Sequence, residues 1–285
     1  LAERPAARAV VINSGQANAC TGDEGMRNCR TTQELVAGAL GLEASDILPA
    51  STGVIGAQLK MDLWEKAAPA LAANLGKATP EDFARAIMTT DAFHKISHRE
   101  VSLPGGMVKL VGMAKGAGMI CPNMATMLSV VLCDAQVEAS VWQKMLRDAV
   151  ELTFNRVTVD GDTRIHVAGA ASDADAERVA RTVGHSQLVK TALYGRDANW
   201  GRIVAAVGRS GADFNPDDVV VTLCGVELFR KGQPTDLDFD ALLEEPLKQR
   251  DLPIDIVLGS GSGSYTLLAS DLGHEYVNVN ADYRS

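Results

Sequence analysis

The stretch "CPNMATMLSVVLCD", residues 121–134, decides how this chain is divided into elements. Pro122 and Asn123 interrupt regular structure at its start. The run 127–133 is apolar and rich in branched side chains, so it predicts a buried strand. Thr126 lies at the junction of these two parts. Considered alone it is an ordinary strand threonine, because most threonines in strands serve packing or face solvent.

Strands and helices mix on both sides of this stretch without a strict strand–helix–strand rhythm. Apolar runs predict strands at 7–15, 46–56 and 156–162, and hairpins at 100–120, 217–232 and 253–271. Helical spacing predicts helices at 31–41, 61–76, 79–90, 138–155, 172–183 and 238–249. Two of these helices begin with capping signals, Thr31 with Glu34 and Thr79 with Pro80. The helix at 138–155 is amphipathic, with one apolar side made of Val141, Met145, Ala149 and Leu152. The mixture favours an α/β fold class of mixed α+β layers over a doubly wound parallel sheet.

Composition and charge argue against several classes of function. The 285 residues carry a formal net charge of −9 without a block of Lys or Arg, which argues against nucleic acid or an anionic membrane surface as a partner. No apolar run in the sequence is long enough to span a membrane. Five scattered cysteines without a CxxC pair predict reduced, packed thiols in a cytosolic protein, and the five dispersed histidines predict no zinc site.

Two glycine-rich stretches have some features of phosphate-binding loops. "GSGSGS", residues 259–264, follows a predicted strand but precedes another strand, so no helix N-terminus faces an anion and a flexible hairpin loop is the better interpretation. "GMAKGAGM", residues 112–119, lacks the Walker spacing. Its Lys115 is either a surface loop lysine or a cation that faces a substrate carboxylate.

The stretch "STGVIG", residues 51–56, also allows two interpretations. It is a plain turn by general turn chemistry, or its first glycine lets a backbone N–H point into a cleft, as an oxyanion hole requires. Thr89 and Thr90, in "AIMTTD", are typical of a frayed helix end. The spacing assembles no Ser-His-Asp arrangement, and the sequence contains no G-x-S-x-G motif.

Seven stretches, in this order, resemble a single family. They are "NSGQANACTG", "STGVIG", "AIMTTDAF", "GMAKGAGMICPNMATML", "FNRVTVDGDT", "LVKTALYGRDANWGRI" and "NADYRS". Together they make the sequence similar, over nearly its whole length, to the ornithine acetyltransferases, also called arginine biosynthesis bifunctional proteins or glutamate N-acetyltransferases. The resemblance implies an N-terminal-nucleophile-like sandwich of sheets and helices, with a second, smaller α/β domain at about 168–285.

The resemblance also implies a chain that cleaves itself. In this family the precursor breaks at the Ala-Thr bond of the "PNMATML" motif, here Ala125–Thr126, which gives an α fragment of 1–125 and a β fragment of 126–285. An internal threonine hydroxyl has no base beside it. Cleavage supplies an α-amino group, with a pKa of about 7.7–8.0, that accepts the hydroxyl proton as general base.

The site residues are carried over from the family one by one. Thr126 is implied as the nucleophile, and Thr52 and Gly53 as the oxyanion stabilisers. The implied substrate contacts are Thr89, Lys115, Thr126, Asn280 and Ser285. Lys115 has the charge that the α-carboxylate of a glutamate or ornithine skeleton requires. Ser285 is the final residue of this sequence, so its role requires an ordered C-terminus folded back onto the site.

The implied reaction is ping-pong acetyl transfer in arginine biosynthesis. N2-acetylornithine gives its acetyl group to Thr126, ornithine leaves, and glutamate takes the acetyl group from the ester. Acetyl-CoA serves some family members as donor, and nothing in this sequence separates the two kinds. No metal and no other cofactor are implied. The implied protein is cytoplasmic, and its fragments stay associated as an α2β2 heterotetramer.

Departures from the family pattern leave alternatives open. Gln16 stands where the pattern has Asn, and the chain starts well inside that pattern. In the family a substantial segment that carries a substrate-site glutamate follows "VDGDT", so either residues are missing between Thr163 and Arg164 or the chain is a shortened homologue. Two further functions are therefore kept: an N-terminal-nucleophile hydrolase or aminopeptidase on the same scaffold, and a truncated, non-catalytic homologue.

Overall fold

The computed structural model describes residues 6–117, 127–158 and 163–282. The described residues form two compact units, the first made of 6–117, 127–146 and 281–282, the second of 147–158 and 163–280. Both units contain helices and β-sheet, which confirms the predicted mixed α/β class. The fragments 1–125 and 126–285 and the smaller domain at about 168–285 stay predictions.

The first unit contains two sheets and four helices among its described residues. In chain order its elements are β1 (Ala9–Gln16), α1 (Gly22–Leu40), β2 (Ile47–Val54), α2 (Met61–Ala73), α3 (Pro80–Ala86), β3 (Lys95–Leu103), β4 (Gly106–Lys115), β5 (Leu128–Cys133) and α4 (Ala139–Leu152), which runs across the boundary between the units. β1 and β2 form a parallel pair, and β3, β4 and β5 form an antiparallel sheet in that order.

The core of the first unit joins the parallel strand pair to α1 and α2. It is a cluster of buried apolar side chains, Val11, Val36, Ala37, Ile47, Leu59, Trp64 and Ala68. Burying such side chains is the main favourable term in folding. The cluster therefore holds β1 and β2 in place against α1 and α2, and with them the residues at the carboxyl ends of both strands.

Helix α1 begins earlier than the capping signal at Thr31 and Glu34 predicts. It begins at Gly22 and ends as predicted at Gly41, whose backbone is left-handed and whose N–H bonds to Ala37 O. Inside the helix the Thr32 hydroxyl donates to Asn28 O at 3.0 Å. A threonine hydroxyl satisfied by the preceding turn does not need a helix start, so the predicted start at Thr31 was wrong.

The antiparallel sheet carries the predicted hairpin and the strand that follows Thr126. β3 and β4 pair from Lys95↔Ala114 to Leu103↔Gly106, which confirms the hairpin. β5 pairs with β4 from Leu110↔Cys133 to Lys115↔Leu128. The strand is confirmed, but the prediction that it is buried was wrong, because β5 is an edge strand and all six of its residues are half-buried or exposed.

Helix α4 confirms the predicted helix, and its apolar side is not buried. No residue of α4 is buried, and Val141, Met145 and Leu152 are 49%, 53% and 64% exposed. An amphipathic helix normally packs its apolar side on a core. Within the described residues this side of α4 has no such cover.

The second unit is built on a six-stranded sheet. Its elements are β6 (Thr163–Ala170), α5 (Asp173–Gly184), α6 (Gln187–Tyr194), α7 (Trp200–Gly208), β7 (Val220–Leu223), β8 (Val226–Arg230), β9 (Gln233–Pro234), α8 (Phe239–Leu243), β10 (Leu252–Val257), β11 (Gly263–Ala269) and α9 (His274–Asp282). The strand order is β11–β6–β10–β7–β8–β9, and only β6 and β10 run parallel. Helix α5 packs on β6 and β11, over a core that includes Ile165, Val179, Ile254 and Leu267.

One predicted hairpin of this unit is confirmed and one was wrong. β7 and β8 pair as predicted for 217–232. β10 and β11 do not pair with each other, because β6 lies between them. The loop "GSGSGS" connects β10 to β11 past the end of β6. A Cβ at Gly261 would lie 2.0 Å from Ala170 O, so this loop packs directly on the end of β6. The stretch is a close backbone contact and not a hairpin loop.

Three further observations concern the described residues as a whole. No helix among them is long and apolar enough to cross a membrane. In the same ranges no three His, Cys, Asp or Glu side chains come together as metal ligands. The four cysteines they include form no disulfide, and Cys20 is exposed and therefore not packed as predicted.

Candidate active site

The parallel pair of β1 and β2 ends in two facing glycines. Gly15 lies opposite Gly53, and their φ angles are 109° and 133°. A Cβ on Gly53 would lie 2.3 Å from Gly15 C and 2.5 Å from Gly15 O. Because these obstacles are backbone atoms, only glycine fits at this position. The prediction of a plain turn was therefore wrong for residues 51–54, which are strand up to this close approach.

Thr52 and Lys115 meet next to this pair. Lys115 Nζ donates to Thr52 Oγ1 at 3.0 Å and to Thr89 Oγ1 at 2.7 Å. Lys115 is the last residue of β4 and is only 7% exposed. The interpretation of Lys115 as a surface loop lysine was therefore wrong. Three residues named from the sequence as site residues lie within hydrogen-bonding distance in one cluster, and Gly53 adjoins it.

Thr89 reaches the cluster through the end of helix α3. The helix begins with the predicted capping arrangement, in which Thr79 Oγ1 accepts the Asp82 N–H. At its other end the Ser14 hydroxyl of β1 donates to Ala86 O at 2.8 Å. This bond ties the end of α3 to β1, so the residues that follow α3 lie beside the carboxyl end of the strand pair.

The direction of these hydrogen bonds determines what the cluster offers to a ligand. An ammonium group only donates, so Thr52 Oγ1 and Thr89 Oγ1 both act as acceptors toward Lys115. Each hydroxyl proton is therefore directed at another acceptor. A hydroxyl that accepts from a cation is also a better donor, because hydrogen bonds in a chain polarise each other. The cluster is consequently a set of donors suited to an anionic group.

Asp91 is part of this arrangement, and the sequence interpretation missed it. Its Oδ1 accepts from Lys95 Nζ at 2.9 Å and from the Gly116 N–H at 2.6 Å, and its Oδ2 accepts the Thr89 N–H at 3.2 Å. Its side chain is fully buried. The one signal in the sequence was an acid four residues before Lys95 and two residues after Thr89, a spacing that many surface pairs share.

Burial acts on the pKa of both ionised groups. For Lys115, burial lowers the pKa, the Asp91 carboxylate raises it and the Lys95 ammonium lowers it, so the pKa ends below its ordinary value. For Asp91, burial raises the pKa. The hydrogen bonds from Lys95, Gly116 and Thr89 outweigh burial, so the pKa of Asp91 also ends below its ordinary value. Asp91 is therefore ionised at neutral pH and faces a lysine that gives up its proton more readily than an exposed one.

The other residues named from the sequence are not part of the described cluster. Ala125, Thr126 and Ser285 fall outside the described residues. Asn280 lies on α9, mostly in the second unit, where its side-chain amide donates to Tyr276 O at 2.8 Å. The roles of these residues, and those of the cluster, stay predictions.

Comparison with known proteins gives a family match over the whole chain. The sequence model of the ArgJ family matches residues 1–165 and 163–285. The Arginine biosynthesis bifunctional protein ArgJ of Nitratidesulfovibrio vulgaris is 63% identical over 337 positions, which cover 100% of this chain and 86% of that protein. The protein of the same name from Geobacter sulfurreducens is 39% identical over 333 positions, covering 98% of this chain and 85% of its own length.

A solved structure is also similar in part. The ornithine acetyltransferase of Mycobacterium tuberculosis, crystallised with ornithine, is 32% identical in sequence and matches 43% of this chain and 62% of its own. The TM-score of that match is 0.36. The conclusions that follow depend on the sequence matches alone.

The matches also show that a relative has positions without a counterpart in this chain. The two segments of the family match meet at residues 163–165. The alignment to the Nitratidesulfovibrio vulgaris protein runs over 337 positions for 285 residues, so 337 − 285 leaves at least 52 positions without a residue of this chain. The family resemblance predicts a further segment after "VDGDT", which is where the two matched segments meet, and a gap at the junction of Thr163 and Arg164 stays a prediction.

Proposed function

The chain belongs to the ArgJ family, and from that premise we propose that it transfers an acetyl group from N2-acetylornithine to glutamate, held between the two steps as an ester of Thr126. It is an acetyltransferase of arginine biosynthesis that acts on small-molecule substrates. The observation that supports this function best is the cluster of Thr52, Thr89 and Lys115. Lys115, which donates to both threonines, is the last residue of β4 and precedes the segment that contains Ala125 and Thr126.

Chain connectivity supports the place of Thr126 in this site. Lys115 is paired with Leu128 across β4 and β5, and Thr126 precedes Leu128 by two residues. Two residues span at most about 7 Å. This short separation supports the proposal that the Thr126 hydroxyl acts in the same site as Lys115.

The proposed activation follows from the chemistry of threonine. The Thr126 hydroxyl attacks the Ala125 carbonyl, the Ala125–Thr126 C–N bond breaks, and water hydrolyses the resulting ester. The products are an Ala125 carboxylate and a free Thr126 α-amine. That amine, with a pKa of about 7.7–8.0, takes the hydroxyl proton when Thr126 attacks the acetyl carbonyl. General-base assistance of this kind is worth about 10²–10⁴ in rate.

The cluster supplies the remaining roles. The Thr52 hydroxyl and the Gly53 N–H donate to the oxyanion that forms at the acetyl carbonyl, each donor being worth about 10²–10³ in kcat. The Lys115 ammonium has three N–H groups, of which two go to Thr52 and Thr89. Its third N–H and the Thr89 hydroxyl bind the substrate α-carboxylate. After ornithine leaves with the proton held by the Thr126 amine, the glutamate amine attacks the acetyl ester.

Three further parts of the proposal concern the protein as a whole. Acetyl-CoA as a second acetyl donor is kept as part of this proposal. We propose that the enzyme acts in the cytoplasm. We also propose that its two fragments stay associated and assemble as an α2β2 heterotetramer. Asn280 and Ser285 keep their proposed substrate contacts.

A denaturing gel with mass spectrometry tests this function directly. We expect the purified protein to run as two fragments, the second beginning at Thr126 and gaining one acetyl group on incubation with N2-acetylornithine. Thr126→Ala is expected to stay one chain and to form no acetyl-enzyme, whereas Thr182→Ala, a change at a half-buried helical threonine of the second unit, is expected to behave as the unchanged protein. A Thr126→Ala protein that still cleaves and makes N-acetylglutamate contradicts the proposal.

The alignment positions without a residue of this chain favour one alternative function. A homologue that lacks at least 52 family positions could fold around the same core without turning substrate over. In the experiment above it would give one uncleaved chain and no acetylation in the unchanged protein. A hydrolase on the same scaffold would instead cleave itself and release free acetate rather than N-acetylglutamate.

A further inference from the structure

We propose that Asp91 is a positioning residue of the acetyl-transfer site, which holds the Lys115 ammonium between Thr52 and Thr89 so that the Thr52 hydroxyl donates to the oxyanion. This inference rests on the function proposed above. Asp91 is not among the site residues carried over from the family. In this proposal Asp91 contacts no substrate. It acts through Lys115 and through the backbone on both sides of the cluster.

The first step of the argument is the set of atoms that Asp91 holds. One carboxylate accepts the N–H of Thr89 and the N–H of Gly116, the residue that follows Lys115. Those two backbone segments carry the side chains of Thr89 and Lys115, two of the three in the cluster. Thr89 and Lys115 are 26 residues apart in the sequence. A single buried carboxylate therefore fixes the distance between Thr89 and Lys115. The 2.6 Å bond to Gly116 is short, as hydrogen bonds to an ionised acceptor are.

The second step concerns charge. A buried ammonium needs a nearby negative charge to stay protonated. Among the described residues, the charged groups that act on Lys115 are Asp91, from the segment before β3, and Lys95, at the start of β3. Asp91 favours the protonated form and Lys95 opposes it. If Lys115 lost its proton, it would become an acceptor and its hydrogen bonds to the two hydroxyls would rearrange.

Removing the charge of Asp91 and removing the charge of Lys95 are expected to shift the pH dependence of kcat in opposite directions. A purely structural role of Asp91 predicts no such opposite shifts. The pKa of Lys115 is already lowered by burial. Asp91→Asn removes the charge that raises this pKa, so the high-pH limb of the kcat profile is expected to move to lower pH. Lys95→Met removes the charge that lowers it, so the same limb is expected to move to higher pH. Substrate groups titrate identically in all variants and cancel in the comparison.

The size of the effect follows from hydrogen bonds to a charged group. Asp91→Asn keeps the shape of the side chain but replaces one acceptor oxygen by an NH₂ group, which is only a donor. The asparagine therefore cannot accept hydrogen bonds from the Thr89 N–H, the Gly116 N–H and Lys95 at once. We expect kcat/KM to fall roughly 10- to 100-fold, with most of the loss in kcat. A lysine that only binds the substrate carboxylate would raise KM instead. Glu100→Gln is the matched control, because Glu100 is exposed and 3.9 Å from Lys109 on the same sheet.

The experiment measures autocleavage, kcat, KM and their pH profiles for the unchanged protein and these three variants, each with a thermal unfolding curve. Opposite shifts of the high-pH limb in Asp91→Asn and Lys95→Met, with none in Glu100→Gln, support the proposal. Limbs that coincide in all four proteins overturn it, as does a folded Asp91→Asn with unchanged kcat. If Asp91→Asn does not fold, the Lys95→Met shift decides alone. An unchanged protein that transfers no acetyl group refutes the proposed function instead.

Discussion

Replacement of Gly53 by alanine tests the close approach of β1 and β2. At a φ of 133° an L-residue is strained, which costs about 1–3 kcal/mol. The new methyl group would also lie 2.3, 2.5 and 2.7 Å from backbone atoms of Gly15 and Gln16. Forcing extra volume into a packed site costs about 1–3 kcal/mol more. We therefore expect Gly53→Ala to lower the free energy of unfolding by about 2–6 kcal/mol.

The chain supplies a matched control at Gly15. Its φ of 109° is also left-handed, but a Cβ built there meets no atom within 4 Å. Gly15→Ala therefore carries the conformational strain without the clash and is expected to cost about 1–3 kcal/mol. The difference between the two variants isolates the steric contact.

Unfolding of the first unit can be followed by a single fluorophore. The chain has three tryptophans, and Trp64 lies in the core beneath the strand pair. In a Trp142→Phe, Trp200→Phe background, urea titration of Trp64 fluorescence reports this unit. Equal urea midpoints for Gly53→Ala and Gly15→Ala would show that backbone contact is not what requires glycine at position 53. Gly53→Ala keeps the backbone N–H, but the clash displaces it, so if this N–H is an oxyanion donor kcat is expected to fall by up to about 10²–10³-fold, the effect of losing one donor.

Two further predictions concern stability. Gly38 lies on the exposed face of α1 with open space around its Cα, so Gly38→Ala is expected to raise the free energy of unfolding by about 0.5–1 kcal/mol in the same urea titration; a destabilised variant contradicts the helical assignment. Folding lowers the pKa of Asp91, so this carboxylate binds a proton more readily in the unfolded protein than in the folded one. Its contribution to the free energy of unfolding is therefore present above its ordinary pKa of 3.8. That contribution is lost as the pH falls through the lower pKa of the folded protein. The stability difference between the unchanged protein and Asp91→Asn is therefore expected to shrink as the pH of the titration is lowered below 3.8; a difference independent of pH would show that the carboxylate is not held in its charged form.

The sequence predicted helix starts correctly where residues within one turn of the helix determine them. Thr79 and Pro80 mark the start of α3 because a cap and a fixed φ act within one turn. The same reasoning failed at Thr31, since a threonine hydroxyl is satisfied equally well by a carbonyl inside a helix as by a helix start, as Thr32 shows. A capping residue in the sequence thus predicts a start only when the preceding residues are unable to continue the helix.

Pairing and burial depended on segments that are distant in sequence. The residues around "GSGSGS" have the pattern of a hairpin, but β6, about ninety residues earlier, inserts between the two strands. The burial of Lys115 is of the same kind, because its partners Thr52 and Thr89 lie 63 and 26 residues away and its counter-charge, Asp91, has no motif of its own. Resemblance to the family named Lys115, and only the structure shows what holds it.

The ladder between β4 and β5 has a consequence for the chain once Ala125–Thr126 is cut. Six residues of each strand are paired, from Leu110↔Cys133 to Lys115↔Leu128, and the proposed cut lies outside them. The mature molecule would then be a split protein, with a sheet shared between two polypeptides. Residues 1–125 and 126–285, produced separately and mixed, would be expected to complement each other, and a proline at Val130, in the middle of β5, to abolish that rescue.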